Sequence, residues 1–373
     1  MKLIIFLFSF LLIVGCGKRQ DAFSCAKVFN VKDVKYDNLV LQTLLLDSIN
    51  TSSFGESCIS PSGDIVFIDK HFCTVTFFDT CGHLKSTHLG LGGGPSETQV
   101  GRIAAQSFLP TGELLLMGYN LDVHLFNPNF MLDKIFLVNR EKRPNLVESS
   151  MTYTNQYNDM VCRSYGDCFY MNVYSEHPEF NYLEETQQYL QSCRHIWEID
   201  FRKNMDGRLL ASGYPDSYLK DLNKHVVFLG TRFDIDKQGN FYVSYEVDSL
   251  IYVYDSDYNP LATYGFQGNE MNLDYLSIYD YKTCRSNYRK ERQTKGHYYW
   301  LEFVDETQTL FRSYRKTGEN DGLQIYYEGK LIGDIEVPKD LRVMGYIDPY
   351  YYSYIVPKLD ENDDSLIIYR FRL

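Results

Sequence analysis

Histidine, cysteine and acidic side chains are the residues most able to do chemistry in this sequence, but their spacing matches no familiar local metal motif. The eight histidines include no H-x-H or H-E-x-x-H, and the nine cysteines include no C-x-x-C. Zinc sites and thioredoxin-like redox sites commonly show such spacing. The sequence therefore predicts no cofactor and no metal, although a fold could still gather histidines from distant segments.

Three further stretches resemble binding loops, and each lacks a necessary part. Residues 90–94 (GLGGG) are not followed by the Lys-Ser/Thr of a phosphate-binding loop. Residues 234–239 (DIDKQG) resemble the start of a calcium loop, but Tyr245 stands where the twelfth-position acid belongs. The acidic run at 360–364 is typical of a solvated hairpin loop. We interpret all three as turns or crossovers, and no G-x-S-x-G nucleophile motif is present.

The first residues of the chain have the pattern of an export signal. Lys2 precedes an apolar run that is short for a membrane span, and Ile13-Val14-Gly15-Cys16 resembles a bacterial lipobox. The sequence predicts a signal peptide over residues 1–15, lipid attachment at Cys16 and a tether over 16–26. An ordinary signal peptide with an incidental cysteine is the alternative.

Charge and the remaining cysteines limit the partners and the compartment. The net charge of −12 argues against a nucleic-acid partner. Eight cysteines remain after Cys16, an even number that permits disulfides in an exported protein. Cys162 and Cys168 flank a predicted hairpin turn, so a disulfide between them is one possibility.

The elements that must position any site are strands, as a high content of Tyr and Phe favours. A glycine turn, two strands and an Asp or Asn turn recur with 15 or 16 residues between the two turns. The clear pairs are Gly63 with Asp79, Gly112 with Asn127, and Gly239 with Asp255. In a fourth copy, Gly166 and Asp200 are separated further by a polar insertion near 176–194.

This repeat predicts an all-β fold, a six-bladed β-propeller with four-stranded blades and small helical insertions. The chain over 27–373 would form one domain, with a second insertion near 269–296. The last blade lacks a strand, so we expect the N-terminal segment 34–46 to complete it. Seven blades, or a pair of β-sandwiches, are the alternatives. The predicted blades span 58–100, 101–147, 150–222, 225–268, 297–339, and 341–373 with 27–48.

Several of these elements also resemble a known group. PSGDIVFID, TVTFFDTCGHL, LGLGGGPSE and DGLQIYYEGKLIGDIEVP look like segments of NHL-type six-bladed β-propeller lipoproteins of Bacteroidota. The usual Asn-Arg-Ile after the first strand is replaced by Lys70-His71-Phe72-Cys73. The resemblance covers nearly the whole mature chain and implies the fold, but its motifs are structural and imply no activity.

Without a catalytic motif, the candidate ligand-binding residues follow from propeller geometry, in which the innermost strands and crossover loops line one channel mouth. Aromatic side chains there could stack on a sugar or peptide, and arginines could pair with a carboxylate. The candidates are Arg102, Arg232, Tyr298, Trp300, Glu302 and Tyr350.

The sequence thus predicts a lipid-anchored protein of the cell envelope, placed at the outer membrane on its periplasmic or its surface face. We expect a binding or scaffolding module whose partner is an envelope protein, peptide or glycan and contacts the insertions. The alternative is a hydrolase or lyase with its active site in the channel, where acids with perturbed pKa values would converge.

Overall fold

Short strands make up about half of the chain that the structure describes. The structure is a computed structural model, and it describes residues 26–119, 122–137, 151–154, 160–176, 180–201, 208–356 and 366–373. The predicted signal peptide, Cys16 and the acidic run at 360–364 lie outside these residues. In chain order the strands are β1 (Lys27–Phe29), β2 (Lys32–Tyr36), β3 (Gln42–Leu45), β4 (Gly55–Ile59), β5 (Ile65–Asp69), β6 (Thr74–Phe78), β7 (Leu84–Leu89), β8 (Ile103–Phe108), β9 (Leu114–Gly118), β10 (Asp122–Phe126), β11 (Leu132–Leu137), β12 (Met151–Thr154), β13 (Cys162–Tyr165), β14 (Cys168–Glu176), β15 (Arg194–Asp200), β16 (Leu209–Ser212), β17 (Thr231–Ile235), β18 (Phe241–Tyr245), β19 (Ile251–Tyr254), β20 (Pro260–Tyr264), β21 (Tyr298–Val304), β22 (Thr309–Tyr314), β23 (Asn320–Tyr327), β24 (Lys330–Pro338), β25 (Leu341–Ile347), β26 (Tyr350–Ile355) and β27 (Ile367–Phe371).

These strands form six small sheets arranged in a ring, which confirms the predicted six-bladed β-propeller. Blade 1 is β4–β7, blade 2 is β8–β11, and blade 3 is β12–β16, in which β12 and β13 both pair with β14. Blade 4 is β17–β20, blade 5 is β21–β24, and blade 6 is β25–β27 with β3. Each blade is an antiparallel meander whose first strands lie against those of neighbouring blades. The ring leaves no long open edge inside the fold.

The N-terminal segment closes the ring as predicted, but with a shorter strand. β3 pairs antiparallel with β27, with Gln42 opposite Arg370 and Leu45 opposite Ile367. The part of the predicted strand before β3 does not join blade 6. It belongs to β2, which pairs in parallel with β24 at the outer edge of blade 5. β1 likewise adds in parallel to β20 on blade 4. The outermost strands of these two blades offer unpaired backbone groups, and the N-terminal chain satisfies them before it reaches blade 6.

The core lies between neighbouring blades, where the two faces of adjacent sheets pack together. Val66 and Ile68 of β5 belong to the same apolar cluster as Leu114 and Leu116 of β9, and each is at most 1% exposed. Middle strands are covered on both faces, which is why β5 and β9 are buried along their whole length. This explains why these strands are continuous apolar runs instead of alternating ones.

Within the described ranges, three helices interrupt the repeat: α1 (Thr186–Ser192), α2 (Asp216–Lys220) and α3 (Tyr281–Thr294). α1 lies within the predicted insertion near 176–194, and α3 lies within the one near 269–296. The second insertion contains α3 and no strand, so it does not hide a seventh blade. None of the helices in the described ranges is both long and apolar enough to cross a membrane.

The disulfide considered between Cys162 and Cys168 is not formed. Tyr165 stands opposite Cys168 across the two-residue turn, which places Met171 opposite Cys162. Because side chains alternate along a strand, Cys168 lies on the same face as Tyr165, while Cys162 lies on the other face. The two side chains accordingly pack into different apolar clusters, and both thiols are free.

Candidate functional site

The innermost strand of every blade contributes a polar side chain to a network at the centre of the ring. The network has two sets of contacts, one joining blades 3, 4 and 5 and the other joining blades 6, 1 and 2, and the Trp300 ring lies near an arginine of each set. We name it the channel network. Its members are Glu56 of β4, Gln106 of β8, Arg163 of β13, Asp234 of β17, Glu302 of β21 and Arg342 of β25.

One half of the channel network is a single cation shared by two acids. Arg163 Nε lies 2.5 Å from Asp234 Oδ1, and its Nη2 lies 2.9 Å from Glu302 Oε2. Asp234 also accepts hydrogen bonds from the backbone N–H groups of Ile235 and Phe303. The Asp234 carboxylate therefore accepts two backbone hydrogen bonds in addition to its contact with Arg163. The Glu302 carboxylate depends more heavily on the Arg163 guanidinium, which it shares with Asp234.

The other half of the network centres on Glu56. Its Oε1 lies 2.7 Å from the ammonium of Lys70, which is almost fully buried, and 3.9 Å from Arg342 Nη1. Gln106 donates a further hydrogen bond to Glu56 Oε2. Glu56 therefore has two cations and an amide around it, whereas Glu302 shares one cation with Asp234.

These surroundings move the pKa values of the two glutamates in opposite directions. Burial raises the pKa of Glu302 to about 8, with the nearby charge of Asp234 adding to the rise and Arg163 opposing it. For Glu56, burial also acts upward, but Lys70 and Arg342 outweigh it and the pKa is lowered. Glu302 is therefore the glutamate that keeps its proton to higher pH and Glu56 the one that loses it first, and two carboxyl groups with pKa values moved apart in this way can donate and accept protons.

Of the six predicted site residues, the structure brings one into this network and places a second beside it. Glu302 is a member, and Trp300 lies beside it, donating from Nε1 to the carbonyl of Val343 at 2.7 Å. The guanidinium of Arg163 lies 5.6 Å from the centre of the Trp300 ring, and that of Arg342 lies 4.9 Å from it. Ligand binding by Glu302 and Trp300 stays a prediction.

Two other predicted residues are buried in structural roles. Arg232 is 2% exposed and pairs with Glu246, with 3.2 Å between Nη2 and Oε1. Tyr298 is fully buried beneath the guanidinium of Arg312, and its hydroxyl donates to the carbonyl of Phe266. A register shift between Tyr298 and Trp300 breaks the alternation of β21, so Tyr298 does not share the face of Trp300.

The last two predicted residues lie away from the channel network. Arg102 precedes β8 and is exposed, with its guanidinium 4.4 Å from the Phe54 ring centre. Tyr350 begins β26 at the hairpin end of blade 6 and is half-buried beside Arg370 and Arg372.

Sequence reasoning missed most of the channel network. The available signal is a polar residue within the first strand of each repeat, shortly before its turn. The missed members are Glu56, Gln106, Arg163, Asp234 and Arg342, with Lys70 as their partner.

The second insertion forms a separate feature that is anchored firmly to the propeller. Arg292 of α3 reaches Glu246, which is fully buried, with 2.6 Å between Nη1 and Oε2. Glu291 accepts a hydrogen bond from the backbone N–H of Leu276, and Cys284 packs into an apolar cluster that also touches the first insertion through Tyr182. Arg292 therefore anchors the insertion to the propeller.

The outer side of this insertion is apolar, aromatic and basic at once. Tyr279 is 71% exposed and Tyr281 is 63% exposed, and large apolar or aromatic side chains beside them in sequence are exposed too. We call this surface the α3 face. It comprises Leu273, Leu276, Tyr279, Tyr281, Tyr288 and the exposed basic residues Lys282, Arg285, Arg289 and Lys290.

Comparison with known proteins identifies the fold. No protein-family model and no curated protein matches the sequence. A member of the DUF4221 family from Bacteroides vulgatus has a TM-score of 0.66 at 11% identity, covering 90% of this chain and 98% of its own. A candidate exported protein from Bacteroides fragilis has a TM-score of 0.51 at 12% identity, covering 92% and 99%. Virginiamycin B lyase from Staphylococcus aureus has a TM-score of 0.47 at 9% identity, covering 90% and 100%. At such identities the first two likenesses show the fold alone.

Proposed function

We propose that this protein is an exported, lipid-anchored binding module that holds an acidic envelope protein on its α3 face. The observation that carries the proposal is the composition of that face. Exposed tyrosines together with arginines are side chains that are enriched at protein interfaces and among their energetically dominant residues. They are exposed on a helix that Arg292 and Glu291 fix to the propeller, so little conformational entropy is lost when a partner binds.

Charge supports an acidic partner over a neutral one. The whole chain carries a net charge of −12, yet α3 exposes four basic side chains, while Arg292 is paired with Glu246 and the one acid of the helix, Glu291, is buried. A basic surface on an acidic protein favours encounter with a complementary acidic surface and disfavours self-association through other faces. An anionic glycan would offer similar charge, but the exposed leucines favour a polypeptide.

Charge reversal tests the proposal without disturbing the core. The double variant Arg285→Glu/Arg289→Glu changes only exposed side chains of α3. After mild cross-linking, the wild type should co-purify with a defined envelope partner. The amount of that partner recovered with the double variant should be at least tenfold lower. The control Lys35→Glu/Lys330→Glu makes the same change in net charge at the outer edge of blade 5. The side chains of Lys35 and Lys330 are 59% and 44% exposed. Equal loss in both variants would contradict docking at the α3 face.

Anchoring at Cys16 is a separate part of the proposal. It is supported by the lipobox-like sequence and by the fold likeness to a candidate exported protein. The proposed place is the outer membrane, and the propeller is proposed to be of the NHL type. Metabolic lipid labelling should mark the wild type and not Cys16→Ser, and equal labelling of both would exclude the anchor.

A second candidate function, a hydrolase or lyase, is favoured by the channel network alone. The pKa of Glu302, raised to about 8 by burial, suits a group that gives or takes a proton near neutral pH. If a peptide or glycan substrate is found, Glu302→Gln should abolish its turnover while Arg285→Glu/Arg289→Glu preserves it. Turnover that survives Glu302→Gln would remove this candidate.

A further inference from the structure

The turn between β6 and β7 brings together three side chains of metal-binding type. Asp79, Cys81 and His83 are separated by one residue each, and a carboxylate oxygen, the thiol sulfur and a ring nitrogen lie within 4.8 Å of one another. All three are at least partly exposed, so an ion could reach them without any opening of the fold. We call these residues the Asp79 turn.

The fold explains the aspartate of this turn, but it does not explain the cysteine and the histidine. Asp79 Oδ1 accepts the backbone N–H groups of Cys81 and His83. In blade 4, Asp255 accepts the corresponding N–H groups of Asp257 and Asn259. The same turn therefore forms around residues that are not soft metal ligands.

Blade 2 shows that the turn does not even need a carboxylate. Asn127 occupies the position of Asp79 and accepts the N–H groups of Asn129 and Met131 through its amide oxygen. Only one oxygen of the side chain is required for the turn. The second carboxylate oxygen of Asp79 is therefore not needed for the turn, and its partner is the neighbouring His83, whose Nδ1 lies 3.3 Å away in hydrogen-bond or ion-pair contact.

The backbone of the Asp79 turn is held in place by the segment that closes the ring. Asp47 donates its N–H to the carbonyl of Gly82 at 2.9 Å, and its carboxylate accepts the N–H of Leu84 at 2.8 Å. Gly82 has a φ of +88°, and a Cβ there would lie 2.5 Å from the carbonyl oxygen of Leu45. The three ligand side chains therefore start from a fixed backbone, which lowers the entropy cost of gathering them.

The spacing of the carboxylate and the imidazole matches two ligands of a tetrahedral ion, and the thiol sulfur lies within 4.8 Å of both. Asp79 Oδ2 lies 3.3 Å from His83 Nδ1. Two ligands at about 2.0–2.1 Å from zinc in a tetrahedral site lie about 3.3 Å apart. A thiolate and a carboxylate together balance the charge of a divalent ion, and a thiolate with an imidazole favours zinc over magnesium or calcium.

We propose that the Asp79 turn binds one zinc ion through Asp79 Oδ2, Cys81 Sγ and a ring nitrogen of His83. The thiol proton is released to solvent on binding, and solvent or a partner group fills the fourth position. The proposal is independent of the α3 face, which none of these residues joins.

Cobalt and zinc titrations of the mature protein, with its thiols kept reduced, test the site. We expect one equivalent of Co²⁺ to produce a thiolate-to-cobalt charge-transfer band that Zn²⁺ removes. Cys81→Ser should abolish the band, and His83→Gln should weaken Zn²⁺ binding at least tenfold by calorimetry. Asp79→Asn should keep the turn, as Asn127 does in blade 2, yet weaken binding.

Cys168→Ser is the matched control, because it removes a half-buried thiol from blade 3. It should leave the band unchanged. Thermal unfolding without metal should be the same for the wild type and for the Cys81 and His83 variants, since these side chains project from an exposed turn. A wild type without the band, or a band that persists in Cys81→Ser, would overturn the proposal.

Discussion

Replacing Arg163 by glutamine is the sharpest test of the channel network. Arg163 is the cation shared by Asp234 and Glu302, whose side chains are 6% and 17% exposed. Its loss leaves two carboxyl groups close together without a counter-charge. Removing one partner from a buried ion pair costs about 3–5 kcal/mol. The Arg163 side chain is 21% exposed, so the pair is not completely shielded from water. We therefore expect the substitution to lower the free energy of unfolding by about 3 kcal/mol at pH 8, the lower end of this range.

The cost should depend on pH in a defined direction. Without the cation, burial and mutual repulsion raise the pKa of both carboxyl groups in the folded state. A carboxyl group whose pKa is higher in the folded than in the unfolded state stabilises the fold at low pH. This stabilisation is lost as the pH rises through the folded-state pKa. The difference between wild type and Arg163→Gln should therefore shrink to roughly 1 kcal/mol near pH 5. Urea unfolding followed by circular dichroism at pH 5 and pH 8 measures both values.

Arg208→Gln is the matched control for this experiment. Arg208 also makes two contacts with a glutamate, Glu198, at 2.7 and 2.8 Å, but its side chain is 59% exposed. The Glu198 side chain is 10% exposed, but its partner lies mostly in solvent, where the charge is screened, so we expect this pair to contribute about 1 kcal/mol. If Arg163→Gln costs no more than Arg208→Gln, or if its cost does not change with pH, the description of the channel network is wrong.

Three further predictions concern protonation, packing and backbone. Because burial raises the pKa of Glu302 to about 8, wild-type stability should fall as pH rises from about 5 to 8, and thermal melts of Glu302→Gln should show a flatter profile. Leu116→Ala leaves a cavity between blades 1 and 2 and should cost about 2–5 kcal/mol in urea unfolding. Gly63→Ala meets nothing within 4 Å but keeps a φ of +81°, so it should cost about 1 kcal/mol. Gly82→Ala adds a collision with the carbonyl of Leu45 and should cost measurably more in the same assay; equal costs would contradict the described closure.

The repeat made the propeller predictable because its turns have strict chemical requirements. Gly112 has a φ of +94°, and Asn127 caps the turn that follows the third strand, so both leave a regular mark in the sequence. The closing strand was predictable from the strand missing in blade 6. The parallel pairing of β1 and β2 was not, since it depends on which outer edges remain open after the blades have formed.

Site residues were harder to predict because strand register decides where they point. Across the turn at Gly166, a two-residue loop sets Cys168 opposite Tyr165, and this register rules out the disulfide with Cys162. In β21, one shift of register separates Tyr298 from Trp300. Polar residues such as Arg163 belong to no motif, and only the closed ring brings them to Glu302.

Site-specific photo-cross-linking in living cells tests most directly whether the α3 face holds a protein partner. A photoreactive phenylalanine analogue at position 281 replaces a tyrosine that is 63% exposed, and the same analogue at position 327 replaces one on blade 5 that is 42% exposed. We predict one discrete adduct from position 281, with an acidic partner, that disappears in Arg285→Glu/Arg289→Glu. No adduct at position 281, or the same adduct from both positions, would contradict the proposed binding function.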